Sequence, residues 1–173
     1  SEPSLSLYLH IPFCKHRCAY CDFNTYTSLL DLRETYADAL VTEMAQVAGE
    51  TRRPAHTIFF GGGTPSLMSP ASLARILAGV RTHFDLAAGA EVTMEANPGT
   101  VNQAYLTAVH QAGINRISFG VQSVVASELA LLEREHDFAT AVSAIHTARS
   151  VGLHNLSLDL IYGLPGQTLQ SWQ

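Results

Sequence analysis

The chain's three cysteines, Cys14, Cys18 and Cys21, all lie between positions 14 and 21. An odd number packed this tightly makes a poor disulfide framework. It suits thiolates kept reduced in the cytoplasm and used as metal ligands. Three thiolates can hold three irons of a 4Fe-4S cubane. The fourth iron is then left without a protein ligand, free to chelate the amino and carboxylate groups of a small molecule. Two other readings compete. A Cys3His zinc site could recruit His10 or His16, or the thiols could be structural and unligated.

The elements that must position these cysteines follow from periodicity. Residues 5–11 (LSLYLHI) predict a strand, which places the cysteines in the loop directly after it. Residues 32–47 put Leu32, Tyr36, Leu40, Met44 and Val47 on one helical face. Residues 57–60 (TIFF) predict a buried strand that runs into Gly61, Gly62 and Gly63. Ser69 and Pro70 mark a helix start, with Leu73, Ile76, Leu77, Val80 and Phe84 as its apolar stripe. Residues 91–95 (EVTME) predict a third strand, and Thr100 with Gln103 a capping box for the next helix, which stops at Gly113. Residues 116–119 (RISF) and 156–161 (LSLDLI) predict two more strands, separated by a helix over 138–151 that stops at Gly152.

Strands alternating with helices imply parallel βαβ units with right-handed crossovers. An eight-fold barrel needs roughly 250 residues. The 173 residues here therefore predict an α/β partial barrel or a fragment of one. In such sheets, sites lie at the C-terminal ends of the strands. Glu95, Gln122 and Asp159 each fall at or near such an end. A charged side chain in an apolar strand is costly to bury unless it is paired, so three polar groups converging on one mouth predict a polar ligand.

Composition bounds the alternatives. Hydrophobic residues make up 47% and charged residues 14%, which is a core-forming and not a disordered mixture. The net charge is −5 and the densest basic point is Arg52-Arg53, so no nucleic-acid footprint is expected. No apolar run approaches the ~18 residues of a membrane span, and no secretory signal is visible. A first residue that is Ser1 suggests a trimmed native N-terminus.

Cys14-x-x-x-Cys18-x-x-Cys21 resembles the hallmark of the radical S-adenosylmethionine (SAM) superfamily. Five further blocks narrow the resemblance: LYLHIPFC at 7–14, FGGGTP at 60–65, EANP at 95–98, SFGVQS at 118–123 and DLIYGLPGQ at 159–167. In this order they are similar to one branch, which holds the coproporphyrinogen III dehydrogenases and the HemW-like haem chaperones. The resemblance implies a (β/α)6 partial barrel with five of its six βα units present over 1–173, and a C-terminal domain beyond Gln173. It implies a 4Fe-4S cluster on the three cysteines, which receives one electron from a donor and passes it to the sulfonium of SAM.

The resemblance also implies that Gly62, Gly63 and Thr64 meet the methionine end of SAM. Tyr8 and Tyr20 match positions that touch SAM, and Glu95, Gln122, Arg134 and Asp159 line its pocket. Glycines after a strand let backbone groups approach a ligand closely, and an Arg can pair a carboxylate bidentately. The plainer alternatives are a tight βα turn for the glycines, ordinary packing for the tyrosines, and a surface ion pair with Glu133 or Glu135 for Arg134. Within the branch, the dehydrogenases follow the third cysteine with Gly and a fourth cysteine. Here Asp22-Phe23-Asn24 follows it, which resembles the chaperones. Haem or a porphyrin is then the expected cargo, respiratory haemoproteins the acceptors, and any membrane contact peripheral. The dehydrogenase activity is the alternative.

Overall fold

The structure is a computed structural model that describes residues 4–49 and 52–173. Five strands, β1 (Leu5–Ile11), β2 (Pro54–Gly62), β3 (Asp85–Ala96), β4 (Arg116–Gln122) and β5 (Asn155–Leu160), pair in parallel in sequence order. The sheet does not close: β1 and β5 are its two edges among the described residues. This is the expected α/β partial barrel with five βα units.

Strand period decides which residues meet the helices. Leu9 and Ile11, Ile58 and Phe60, Val92 and Met94, Ile117 and Phe119 all point to one side and are buried there. Residues of α1 (Arg33–Ala48), α2 (Pro70–His83), α3 (Gln103–Ala112) and α5 (Phe138–Ser150) join them in a single core. The intervening positions, His10, Glu95, Ser118, Gln122 and Asp159 among them, stand on the opposite, concave face, which is polar.

The caps explain the helix boundaries. Ser69 Oγ accepts from Ser72 N at 3.0 Å with Pro70 as the first helical residue, and the expected stripe of α2 is buried throughout. Gly113 closes α3 at φ 117°, ψ 7°, a left-handed cap that a Cβ would strain. Asp137 caps α5 by accepting from Thr140 N at 2.7 Å.

Two expectations need correction. The buried face of α1 is Ala37, Leu40, Met44 and Ala48, whereas Leu32 and Val47 are exposed. The close approach of α1 to α2 is made on the α2 side, where a Cβ on Gly79 would stand 3.1 Å from Val41 and 3.4 Å from Met44. The cap of α3 is Asn102, whose side chain accepts from Tyr105 N at 2.8 Å. The Thr100 hydroxyl instead donates to Asn97 O in the preceding turn and meets the Ser66 hydroxyl of the segment after β2. The short helix α4 (Ala126–Leu131) carries no periodic signal in the sequence, and a final turn, α6 (Leu169–Trp172), follows β5.

Candidate functional site

The cysteine loop leaves β1 and is zipped at its base. Tyr26 N donates to Pro12 O at 2.7 Å, and Cys14 N donates to Tyr26 O at 3.1 Å. This short parallel bridge gathers residues 14–25 into one turn over the mouth of the sheet. Within the turn, Cys21 N donates to Cys18 O at 3.0 Å, and His10 Nε2 meets Asn24 O at 2.9 Å. Cys14 is buried, while Cys18 and Cys21 are half-buried.

The loop roofs a cavity of about 540 Å³. Its lining includes Cys14, Cys18, Cys21, Tyr20, Gly62, Gly63, Thr64, Glu95, Gln122, Arg134 and Asp159. Eleven of the twelve site residues expected from the sequence therefore meet at one cavity. Tyr8 is the one that does not line it. It stands on the same concave face below the mouth, stacked on Phe59 at 6.1 Å and hydrogen-bonded to His10 Nδ1 at 3.3 Å.

Each polar group has a local cause for its position. Gly63 N donates to Ile11 O at 2.8 Å and Thr64 N to Phe13 O at 2.7 Å, so the segment after β2 keeps pairing with the cysteine loop. A Cβ on Gly63 would meet Phe13 O at 2.7 Å and Cys14 Sγ at 3.0 Å, and one on Gly62 the His10 ring at 2.6 Å. Only glycine fits this cradle. Glu95 accepts from Gly62 N at 3.2 Å. Burial holds its carboxyl above the ordinary value and the Asp159 charge adds to this, while Gly62 and His10 pull it down. Asp159 accepts from Ser118 Oγ through both oxygens, at 2.9 and 3.0 Å.

Gln122 is a non-glycine residue at φ 68°, at the end of β4 where the register with β5 shifts. Such a conformation is uncommon outside glycine and is held in place by its surroundings. Two residues of one following segment grip the backbone just before it. Arg134 Nη2 donates to Gly120 O at 2.8 Å, and His136 Nε2 lies 3.1 Å from Val121 O. The other terminal nitrogen of Arg134 faces the cysteine loop, 3.4 Å from Cys18 Sγ and 3.5 Å from the Tyr20 hydroxyl. Burial pushes the Tyr20 hydroxyl up to about 12, with Arg134 pulling the other way. Burial likewise raises the Cys14 thiol, and the Thr64 hydroxyl, 3.6 Å from its sulfur, opposes the rise. Glu133 turns outward to His16 at 3.3 Å, so the surface ion pair is not where the Arg134 guanidinium lies.

The donor set and the cradle suit a cubane and a small zwitterion. A single zinc ion at ~2.3 Å from each sulfur draws its ligands around one point. Among the described residues no three His, Cys, Asp or Glu side chains are gathered in that way.

Gly120, Asn97 and Ile161 are among the further lining residues that the sequence reading does not assign to the site. All three lie inside the motif blocks at 95–98, 118–123 and 159–167, which was the available signal. Ser118, which holds Asp159, lies in the same block as Gly120.

Comparison with known proteins places this geometry. The family model of the radical SAM superfamily matches residues 8–173. The chain belongs to that superfamily, whose members in general use SAM and a 4Fe-4S cluster. Among curated proteins it is 45% identical to "Heme chaperone HemW" of Escherichia coli, over 97% of this chain and 45% of that protein. It is 42% identical to the protein of the same name from Haemophilus influenzae, again over 97% of this chain and 45% of that one. It thus spans less than half the length of these relatives. Among solved structures, Escherichia coli coproporphyrinogen III oxidase (HemN), described as a radical SAM enzyme, superposes with a TM-score of 0.90 at 35% identity. That match covers 99% of this chain and 40% of the other. No helix among the described residues is long and apolar enough to cross a membrane.

Proposed function

We propose that Cys14, Cys18 and Cys21 hold a 4Fe-4S cluster with one open iron, and that the cavity beneath it binds SAM. When bound, the pair supplies one-electron cleavage of the SAM sulfonium, giving methionine and a 5′-deoxyadenosyl radical. The chain's own part is binding, orientation and exclusion of water. Gly62, Gly63 and Thr64 take the methionine end. Gln122, Arg134 and Asp159 present hydrogen-bonding groups from three sides, and Tyr20 stands at the rim. Glu95 offers a carboxylate to a cationic or N–H group. Tyr8 acts from below the cavity, through the concave face.

Removing the Glu95 or Asp159 carboxylate, or the Arg134 guanidinium, should weaken SAM binding by on the order of 1–3 kcal/mol each, the cost of leaving a buried partner unpaired. Equilibrium binding of SAM to the reconstituted protein measures it. Undiminished affinity in the combined Glu95→Ala, Arg134→Ala, Asp159→Ala variant would contradict the assignment.

We further propose that the longer protein is a haem chaperone of the cytoplasm. It would carry haem and hand it to haemoproteins of the respiratory chain through peripheral membrane contact, with a low-potential one-electron donor serving the cluster. One observation carries this reading: Phe23 lines the cavity and is exposed to it. The dehydrogenases that the sequence resembles carry a cysteine there. Phenylalanine cannot ligate metal, give up a hydrogen atom cheaply or act as a thiol acid. The names of the curated relatives support the same choice.

The full-length protein is expected to bind haem at micromolar concentration and to leave coproporphyrinogen III unchanged under reducing, SAM-supplied, anaerobic conditions. Carbon dioxide and protoporphyrinogen IX as products would establish the dehydrogenase activity instead. The 35% identity to the coproporphyrinogen III oxidase keeps that the second reading.

A further inference from the structure

Arg134 is held in a way that points beyond a contact with substrate. One terminal nitrogen is fixed on the Gly120 carbonyl at 2.8 Å, and the other is aimed at Cys18 Sγ at 3.4 Å. Its Nε is buried without a partner, and so is shielded from the cavity. The guanidinium is therefore half-buried and held by β4, with the nitrogen that faces the cysteine loop lying against Cys18 Sγ and the Tyr20 hydroxyl. On the other side of the loop, the Thr64 hydroxyl donates to Cys14 Sγ at 3.6 Å. Two of the three thiols thus receive hydrogen bonds from side chains outside the cysteine loop, one of them from a cation.

We propose that Arg134 and Thr64 are positioning residues that set the reduction potential of the cluster on Cys14, Cys18 and Cys21, with Arg134 contributing the larger share. This rests on the cluster assignment above and is independent of the haem reading. Reduction adds one electron to the cluster, and no bond to the protein is made or broken. The added charge spreads onto the thiolate sulfurs, so donors aimed at them stabilise the reduced state more than the oxidised one. Hydrogen bonds to the sulfurs and nearby charge are general determinants of such potentials. A charge-assisted donor is roughly twice as strong as a neutral one, which ranks Arg134 above Thr64. Arg17 supplies the contrast. It is solvent-exposed, carries the same charge close by, and donates to the Cys21 carbonyl at 3.3 Å instead of to a sulfur.

The test is a redox titration of the anaerobically reconstituted full-length protein without SAM, with dithionite as reductant and the reduced cluster read by electron paramagnetic resonance. At a fixed potential, Arg134→Gln should lower the ratio of reduced to oxidised cluster about tenfold, a shift of ~59 mV for one electron. Thr64→Val should lower it about threefold, as expected of a neutral donor. Arg134→Lys, which keeps the charge without the fork, should fall between Arg134→Gln and the parent. Arg17→Gln should stay within about twofold, its charge being screened by water. The proposal is overturned if Arg134→Gln and Thr64→Val hold full iron and titrate with the parent. It is equally overturned if Arg17→Gln shifts as far as Arg134→Gln. If Arg134→Gln does not load iron, Arg134→Lys and Thr64→Val decide by the same criterion. A parent protein that takes up no iron overturns the cluster assignment as well, whereas a loaded parent with unmoved variants overturns this inference alone.

Discussion

Replacing any one of Cys14, Cys18 and Cys21 by alanine should abolish iron–sulfur loading of the full-length protein, whereas the parent should turn brown and bind about four irons and four sulfides. The expectation is all-or-none because every protein ligand proposed above comes from this one turn. The chain has no fourth cysteine to substitute. The turn itself should persist in the variants, since it is closed by backbone bonds between Pro12, Cys14 and Tyr26 that no cysteine side chain makes. Iron and sulfide assays on the three single variants read the result. Stable stoichiometric zinc in the parent, without iron uptake, would sink the assignment and return the Cys3His reading.

Gly63→Ala should be the most damaging of the small substitutions. Its φ is not the difficulty; the added methyl is. It would stand 2.7 Å from the Phe13 carbonyl oxygen and 3.0 Å from both Cys14 Sγ and the Ile11 carbonyl oxygen. Two of these are backbone atoms that cannot swing aside, so the cysteine loop must lift from the segment after β2. The Gly63–Ile11 and Thr64–Phe13 bonds would stretch with it. Overpacking of this kind costs about 1–3 kcal/mol, measurable by denaturant unfolding of the apoprotein. Cluster loading should fall together with stability, because Cys14 moves with the loop. Parental stability and full iron content in the Gly63→Ala variant would show that the cradle has slack the structure does not contain.

The local signals were legible in the sequence because they are short-range physics. Period-2 runs fixed where β1 begins and ends. Ser69-Pro70 fixed the start of α2, and Gly113 and Gly152 marked helix ends through their left-handed backbone. Alternation of strands and helices was enough for a parallel α/β sheet, because parallel strands need crossovers of that length; that β1 and β5 stay apart came from the structure. The cysteine spacing, together with five ordered motif blocks, was enough to name a superfamily and eleven of the residues that line its cavity.

Tertiary structure decided what depends on partners distant in the chain. The buried face of α1 turned to Ala37, Leu40, Met44 and Ala48, where Gly79 of α2 lets Val41 and Met44 approach closely, and no period in residues 32–47 encodes that contact. Thr100 lost its role as a cap to Asn102 because Ser66, far away in sequence, meets its hydroxyl. Gln122 reaches the mouth through a register shift between β4 and β5, held by Arg134 and His136 on the carbonyls before it. A bulge is set by its neighbours, not by its own residue type. The resemblance matched Tyr8 to a position that touches SAM, but its depth below the mouth follows from its register opposite Phe59. Above all, the approach of Arg134 to Cys18, 116 residues earlier in the chain, exists only where the fold brings the two loops together over one cavity.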